Sequence, residues 1–482
     1  MSDDDQGIVC LQTNETTRLT MITFLFLLSL SAFGFSPDFE FGVANAPGQV
    51  EDKLEDTWLA WGRSGKIAGW KNNQNPEARL NFWSQPEIEI DLAQKLGAKT
   101  FRLGVDWARI MPKENVIDEK VIEGYRKILK LIREKKMKVM LTLMHHSVPG
   151  WFMEKGGWHI PENSEFFVRF SEKMINEFHD EVDTWITFNE ANVFVVNSYT
   201  VGMWPPGQKS SPLSLFAFGP YTGTSIEALD HMAESHNKIY DWSHARYPHI
   251  KMGIAHNMAR YKGRGIINGI AAKIADRMMN WRFPEKIRGK MDFFGFNYYG
   301  AEWISRKSVE FHPEYEYSES GRAIDVNGLY ELLKEISDRF PKLPIVITEN
   351  GIADREDGIR GAYIVEHLAA VEKAIAGGVP VKGYFVWTLT DNLEWSDGYC
   401  PQFGLVSVDR ASGARKTRRS FDVVQSIFVS GKLSSYQRDA EWKRVLNLQG
   451  KMRPFCRAED GMTALDIPVK KQYGSVDWRL KN

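Results

Sequence analysis

Eight short β-prone runs, each followed by a stretch of helical periodicity, constrain this chain more than any other feature. The runs fall at 39–46, 100–105, 138–144, 184–188, 251–256, 292–297, 344–348 and 381–387. Helices are expected between and after them, at 86–96, 119–136, 164–180, 226–247, 266–280, 329–339, 363–377 and 421–428. Their apolar residues recur at three- and four-residue spacing, and glycines such as Gly97 stop them. Strands alternating with helices build a parallel sheet, and eight such units close it into a barrel. The expected fold is α/β, a single (β/α)8 TIM barrel over residues 35–430 with long strand-to-helix loops. A chain of 482 residues that is 43% apolar has core enough for one large barrel. No internal repeat and no Pro/Gly/Ser linker divides it.

The ends of the chain read differently. Residues 21–35 (MITFLFLLSLSAFGF) form an apolar stretch too short for a membrane span and suited to a signal peptide. Residues 1–34 are therefore expected to be a signal peptide or an N-terminal apolar anchor, with export or membrane association following. The chain is cytoplasmic if that stretch is not a signal. Residues 431–482 are expected to be a tail packing on the barrel. The formal net charge of −1 gives no reason to expect a nucleic-acid partner. Cys10, Cys400 and Cys456 form no CxxC pair and no disulfide framework; a Cys400–Cys456 bridge is open but not indicated.

Active sites of such barrels lie at the C-terminal ends of the strands. Two runs end in a glutamate there: the fourth, Thr184-Trp185-Ile186-Thr187-Phe188-Asn189-Glu190, and the seventh, Ile345-Val346-Ile347-Thr348-Glu349-Asn350-Gly351. Either glutamate alone reads as a loop charge. Two facing each other across a pocket are what glycoside hydrolysis needs, one carboxyl to protonate the leaving oxygen and the other to attack or to activate water. Other strand ends carry Gln49, Arg102, His145-His146, Asn189, Asn297-Tyr298-Tyr299, Trp387, Glu394 and Trp395. Amides, imidazole, carboxylate and indole suit the hydroxyls and faces of a sugar ring. Successive side chains of a strand point to opposite faces, so His145 and His146 are not expected to share a metal ion.

The motifs FGVANAPGQVE, FRLGVDWARIMP, LTLMHHSVPGWF, WITFNEANVF, DFFGFNYYG, VITENG and GYFVWTLTDNLEWSDGYCPQFGLVSVD resemble those of β-glycosidases of glycoside hydrolase family 1. The resemblance runs from about Phe39 to Phe428. It implies a retaining enzyme, with Glu190 as general acid/base and Glu349 as nucleophile. It implies that Arg102 and Tyr299 contact the nucleophile, that Gln49, His145, Asn189 and Glu394 hold sugar hydroxyls, and that Trp387 and Trp395 line the sugar site near Asn297. No metal or organic cofactor is implied. Three positions depart from the usual pattern: Ala191 stands for a proline, His146 for an indole and Asp52 for a glycine.

VEDKLEDTW, LTLMHHSVPGWF and the tail segments RPFCRAEDG and SVDWRL are similar to the sensitive-to-freezing branch, the plant galactolipid galactosyltransferases related to family 1. Gln49 and a short segment at 51–80 depart from that branch. The expected activity is a retaining β-glycosidase of β-galactosidase or β-glucosidase type. The alternatives are galactosyl transfer between galactolipids and a non-catalytic sugar-binding barrel. The expected partner is a β-glycoside, with galactolipid as the substrate the branch implies. Leu213, Leu215, Phe216 and Phe218 in Ser211–Pro220 are expected to pack under their loop, with a site for a lipid or aryl aglycone, or peripheral membrane contact, as the sharper alternative. The basic run 415–419 reads as a solvated face, with lipid headgroups as its sharper alternative.

Overall fold

A computed structural model describes residues 34–67, 79–210, 223–304, 311–459 and 463–481. The expected leader or anchor and the apolar loop at 211–220 lie outside the described residues.

Eight parallel strands close into a barrel in sequence order: β1 (Glu40–Ala44), β2 (Thr100–Gly104), β3 (Lys138–Met144), β4 (Thr184–Asn189), β5 (Met252–Lys262), β6 (Phe294–Trp303), β7 (Ile345–Asn350) and β8 (Val381–Val386). β1 closes the ring against β8, with Glu40 opposite Gly383 and Val43 opposite Val386. β2 and β7 are buried along their whole length; β7 accordingly opens on a continuous apolar run, Ile345-Val346-Ile347, whereas β2 buries Arg102 among its apolar residues. The barrel interior holds Met140, Ile186, Ala255, Phe293, Val346 and Phe385, a packed core rather than a pore.

The outer layer is formed by α1 (Pro86–Leu96), α2 (Glu119–Glu134), α3 (Ser164–Phe178), α4 (Thr224–Arg246), α5 (Gly265–Ala275), α6 (Val326–Arg339), α7 (Arg360–Ala376) and α8 (Arg419–Ser430). α2 buries Ile122, Tyr125, Ile128, Leu129 and Ile132, one stripe at helical spacing, and Asp118 caps its first turn. Among the described residues no helix is long and apolar enough to cross a membrane.

Three expectations need correction. Residues 57–63, where no helix is expected, form a short helix capped by Asp56. The run 415–419 is not a solvated face. Arg415 binds Glu89 and the Leu80 carbonyl, Arg418 pairs with Asp391 at 2.8 Å, and Arg419 pairs with Glu441. Arg415 lies on a short strand, β9 (Arg415–Thr417), Arg418 and Arg419 lie at the start of α8, and all three reach inward to these partners. Cys400 and Cys456 do form a disulfide. It joins the loop after β8 to β10 (Met452–Arg457), which pairs antiparallel with β11 (Ala464–Gln472). Ahead of this hairpin, α9 (Ser435–Leu446) starts on a Ser434–Gln437 capping box and pairs Arg438 with Glu366 of α7 at 2.7 Å.

Candidate functional site

The chain around Glu349 is held by its neighbours. Asn350 donates to the Tyr298 carbonyl of β6 at 2.6 Å and accepts from Tyr384 of β8 at 2.6 Å. The backbone of Trp387 then passes so close that a Cβ at residue 351 would lie 1.6 Å from its carbonyl oxygen. Glu-Asn-Gly is thus one device: a carboxylate, a pin to both flanking strands, and the glycine that lets β8 pass. Glu190 ends β4 in the left-handed region, φ 46°, and the helix Ala191–Val196 begins at the next residue. That turn swings its carboxyl off the strand and over the barrel mouth.

The two glutamates belong to one hydrogen-bond network. Arg102 Nη1 donates to Glu349 Oε1 at 2.6 Å, and its Nη2 donates to Asn189 Oδ1 at 2.6 Å. Asn297 Nδ2 donates to Asn189 Oδ1 at 3.0 Å and to Glu190 Oε1 at 2.8 Å. Asn257 Nδ2 adds a second donor to Glu190 Oε1 at 3.0 Å, and Tyr299 OH donates to Glu349 Oε2 at 2.6 Å. Arg102 is fully buried, as is Asn297, whose Oδ1 accepts from Thr348 Oγ1 at 2.7 Å. Charge-assisted bonds of 2.6 Å to a buried carboxylate are among the strong class.

A cavity of about 180 Å³ opens over this network. His145, Asn189, Glu190, Tyr299, Glu349, Trp387, Glu394 and Trp395 all line it. Arg102 and Asn297 sit behind that wall. Gln49 is fully buried, and neither its amide oxygen nor its amide nitrogen has a partner among the described residues. Its short helix, Pro47–Val50, runs against the Trp395 indole, with the Gly48 Cβ position 3.1 Å from that ring. An orphaned buried amide beside the indole is an open donor–acceptor pair that a ligand hydroxyl satisfies.

His146 corrects the alternation argument. β3 stops at Met144 and His146 turns at φ 62°, so both imidazoles line the same cavity, ring centres 5.1 Å apart. Asn189 Oδ1 is committed to Arg102 and Asn297, which leaves Nδ2 facing the histidines. It lies 2.9 Å from His145 Nε2 and 3.3 Å from His146 Nε2. Both imidazoles thus accept at Nε2, as neutral rings do. Burial lowers both histidines from the usual imidazole range, His145 strongly.

Burial works to raise both glutamates. At Glu349 it outweighs the Arg102 guanidinium, the Glu190 charge adds to it, and the carboxyl rises to about 7. At Glu190, burial is opposed by His146, 3.7 Å away, and by the Asn297 and Asn257 amides. His146 lowers the Glu190 carboxyl only if its ring is charged. The buried, Asn189-bonded His146 is neutral, so Glu190 keeps only neutral amide donors while Glu349 keeps a guanidinium and a phenol. We therefore assign the charge to Glu349 and the proton to Glu190 at neutral pH. Burial also raises Glu394 well above the ordinary carboxyl range, against the Trp387 indole N–H it accepts at 3.3 Å.

Residues unforeseen in the sequence complete the cavity. Asn257 lies one residue past the expected end of strand five, a polar strand-end signal cut off by that boundary. Arg322, from the loop after β6, stacks 4.8 Å over the Tyr299 ring and lines the outer wall with Asp397, Phe403 and Met203. Arg457 reaches the same wall from the tail hairpin and pairs with Asp397.

The Glycosyl hydrolase family 1 model matches residues 32–283 and 277–432. The chain is 35% identical to the chloroplastic galactolipid galactosyltransferase SFR2 of Arabidopsis thaliana, over 92% of this chain and 82% of that protein. It is 39% identical to the chloroplastic β-glucosidase-like SFR2 of Oryza sativa subsp. japonica, over 86% of this chain and 67% of that one. Among solved structures it is similar to a β-glycosidase from Pyrococcus horikoshii, with TM-score 0.76, 29% identity, and coverage of 85% of this chain and 98% of that one.

Proposed function

Because this chain belongs to glycosyl hydrolase family 1, we propose that it cleaves β-galactosides by a retaining double displacement and that galactolipid is its donor. The observation that carries the chemistry is the Glu349–Arg102–Asn189–Asn297–Glu190 network carried by β2, β4, β6 and β7. Glu349, held ionised by Arg102 and Tyr299, attacks the anomeric carbon. Glu190 protonates the departing oxygen. The resulting ester bond removes the Glu349 charge, and Glu190, now the base, takes a proton from the incoming hydroxyl. Trp387 and Trp395 offer faces to the sugar ring; Gln49, His145, Asn189 and Glu394 offer groups for its hydroxyls. No step calls for a metal or cofactor, and the intact carboxylate pair argues against a purely sugar-binding barrel.

Galactose as glycone and lipid as aglycone rest on the one relative named for galactolipid transfer. Peripheral membrane association, and export or anchoring through residues 21–35, belong to the same proposal. A second reading has a sugar hydroxyl rather than water take the galactosyl group. It is favoured by the charged outer wall of Arg322, Asp397 and Arg457, which suits a hydroxylated acceptor. Hydrolysis is favoured by Gln49. Incubation with a monogalactosyl lipid in detergent separates the two: free galactose means hydrolysis, and di- and trigalactosyl lipids with free diacylglycerol mean transfer. Absence of any product from this lipid would refute the galactolipid donor.

A further inference from the structure

Helix α5 (Gly265–Ala275) is built inside out. Its small residues face the protein: Ala272 and Ala275 are buried, and Asn268, Gly269 and Ala271 are half-buried. Its large apolar residues face outward: Ile266 is 83% exposed, Ile267 58%, Ile270 55% and Ile274 47%. No large apolar side chain among the described residues is more exposed than Ile266. Isoleucine is not there for helix propensity, since β-branching is mildly unfavourable in helices. It is not there for the core either. Positions 266, 270, 273 and 274 share one face of α5, so exposed Lys273 stands among the isoleucines, and exposed Arg277 follows in the wider turn Asp276–Trp281 just past its end. Neither cation has an ion-pair partner among the described residues.

The helix stands beside the catalytic mouth. β5 runs past Asn257, the residue that donates to Glu190, for five more residues to Lys262, roughly 16 Å farther at about 3.3 Å per residue. α5 starts there. The chain returns at Asn280, whose side-chain amide pairs with both backbone groups of Ala259 at 3.2 and 2.9 Å. α5 therefore belongs to the end of the barrel through which substrate enters.

We propose that the outward face of α5, formed by Ile266, Ile267, Ile270 and Ile274 with Lys273, together with Arg277 just past the helix, is a membrane-docking surface that seats the catalytic mouth on a bilayer containing anionic lipid. An apolar face bordered by cations is the pattern of a helix lying in the interface plane, its isoleucines among the acyl chains and its cations at the phosphates. The apolar area offered is on the order of 400 Å², large for an uncommitted surface patch. It is about half of the ~800 Å² each partner contributes to a stable protein interface, so a second copy fits it less well than a lipid surface does. The biological purpose rests on the galactolipid reading above, because a diacyl substrate resides in such a surface. The geometry does not.

The test uses the full chain carrying Cys10→Ser and Ile266→Cys, labelled at residue 266 with a polarity-sensitive fluorophore. The probe is a vesicle of equal parts phosphatidylcholine and phosphatidylglycerol, without galactolipid. Emission is expected to shift to the blue, rise several-fold and be quenched by nitroxide-bearing lipid. Emission unchanged by vesicles overturns the proposal, and attachment elsewhere in the chain cannot mask that result, because the probe reports its own position. In unlabelled protein, I266S/I270S/I274S is expected to lower vesicle partition roughly tenfold or more, since one seated isoleucine contributes about an order of magnitude. Turnover of a soluble nitrophenyl β-galactoside should be unchanged, which reports intact folding. A dimer in sedimentation that these substitutions abolish, with the probe still in water on vesicles, would give the face to a second copy and overturn the proposal. Docking without galactolipid turnover would sink the substrate reading and leave this one standing.

Discussion

Tyr299→Phe isolates what holds Glu349, the proposed nucleophile, ionised. The phenol donates to Glu349 Oε2 at 2.6 Å inside a site where Glu349 is 3% exposed. Burial and Glu349 itself push the phenol well above its usual range, so it is a donor at every accessible pH. A hydrogen bond to a charged group contributes about 1.5–3 kcal/mol. At about 1.4 kcal/mol per pKa unit, its loss raises the Glu349 carboxyl by roughly one to two units. The reacting form is the carboxylate, so the acid limb of kcat/KM must move to higher pH by that amount. The rate loss should be about 10- to 100-fold on the acid side. It should shrink as pH rises, until the alkaline limb set by deprotonation of Glu190 takes over. The assay is the pH profile of kcat/KM on a soluble nitrophenyl β-galactoside. A uniform loss at all pH values, with the acid limb in place, would refute the reasoning, and so would a limb that moves to lower pH.

Two further outcomes follow from the same geometry. Glu190→Ala should spare galactosides whose leaving group needs no proton, such as dinitrophenol, while alkyl galactosides fall by about 10²–10⁴; equal loss on both would count against an acid role. Cys456→Ser opens a disulfide whose partners are 56 residues apart, which should cost roughly 4 kcal/mol in urea unfolding by loop entropy. Unchanged stability would mean that Arg453, buried and paired with Glu316 at 2.6 Å, already holds the hairpin without the disulfide.

The barrel was legible because its signals are local. β-Branched runs such as IVIT and stops such as Gly97 describe one element at a time, and most of its boundaries fell within three residues of the structure. Glu190 and Glu349 were legible because a carboxylate closing a β-prone run belongs at a strand end. What escaped depended on approach from elsewhere in the chain. Arg457 arrives at the cavity from a hairpin of alternating polar residues with no strong period, and its disulfide joins cysteines whose proximity no spacing encodes. His146 escaped because the strand rule was applied two residues beyond the end of the strand. The cations of 415–419 looked solvated because Asp391, Glu89 and Glu441 are distant in sequence. The outward isoleucines of α5 kept helical spacing, and spacing alone does not say which face turns inward.

The central claim is that Glu349 forms a covalent bond to the sugar. The direct measurement is mass spectrometry of peptides from protein incubated with a 2-deoxy-2-fluoro-β-galactoside bearing a dinitrophenyl leaving group, which slows release of the intermediate. The account predicts one fluorogalactosyl adduct, on Glu349. No adduct in a protein that cleaves ordinary β-galactosides, or an adduct on another residue, would contradict it.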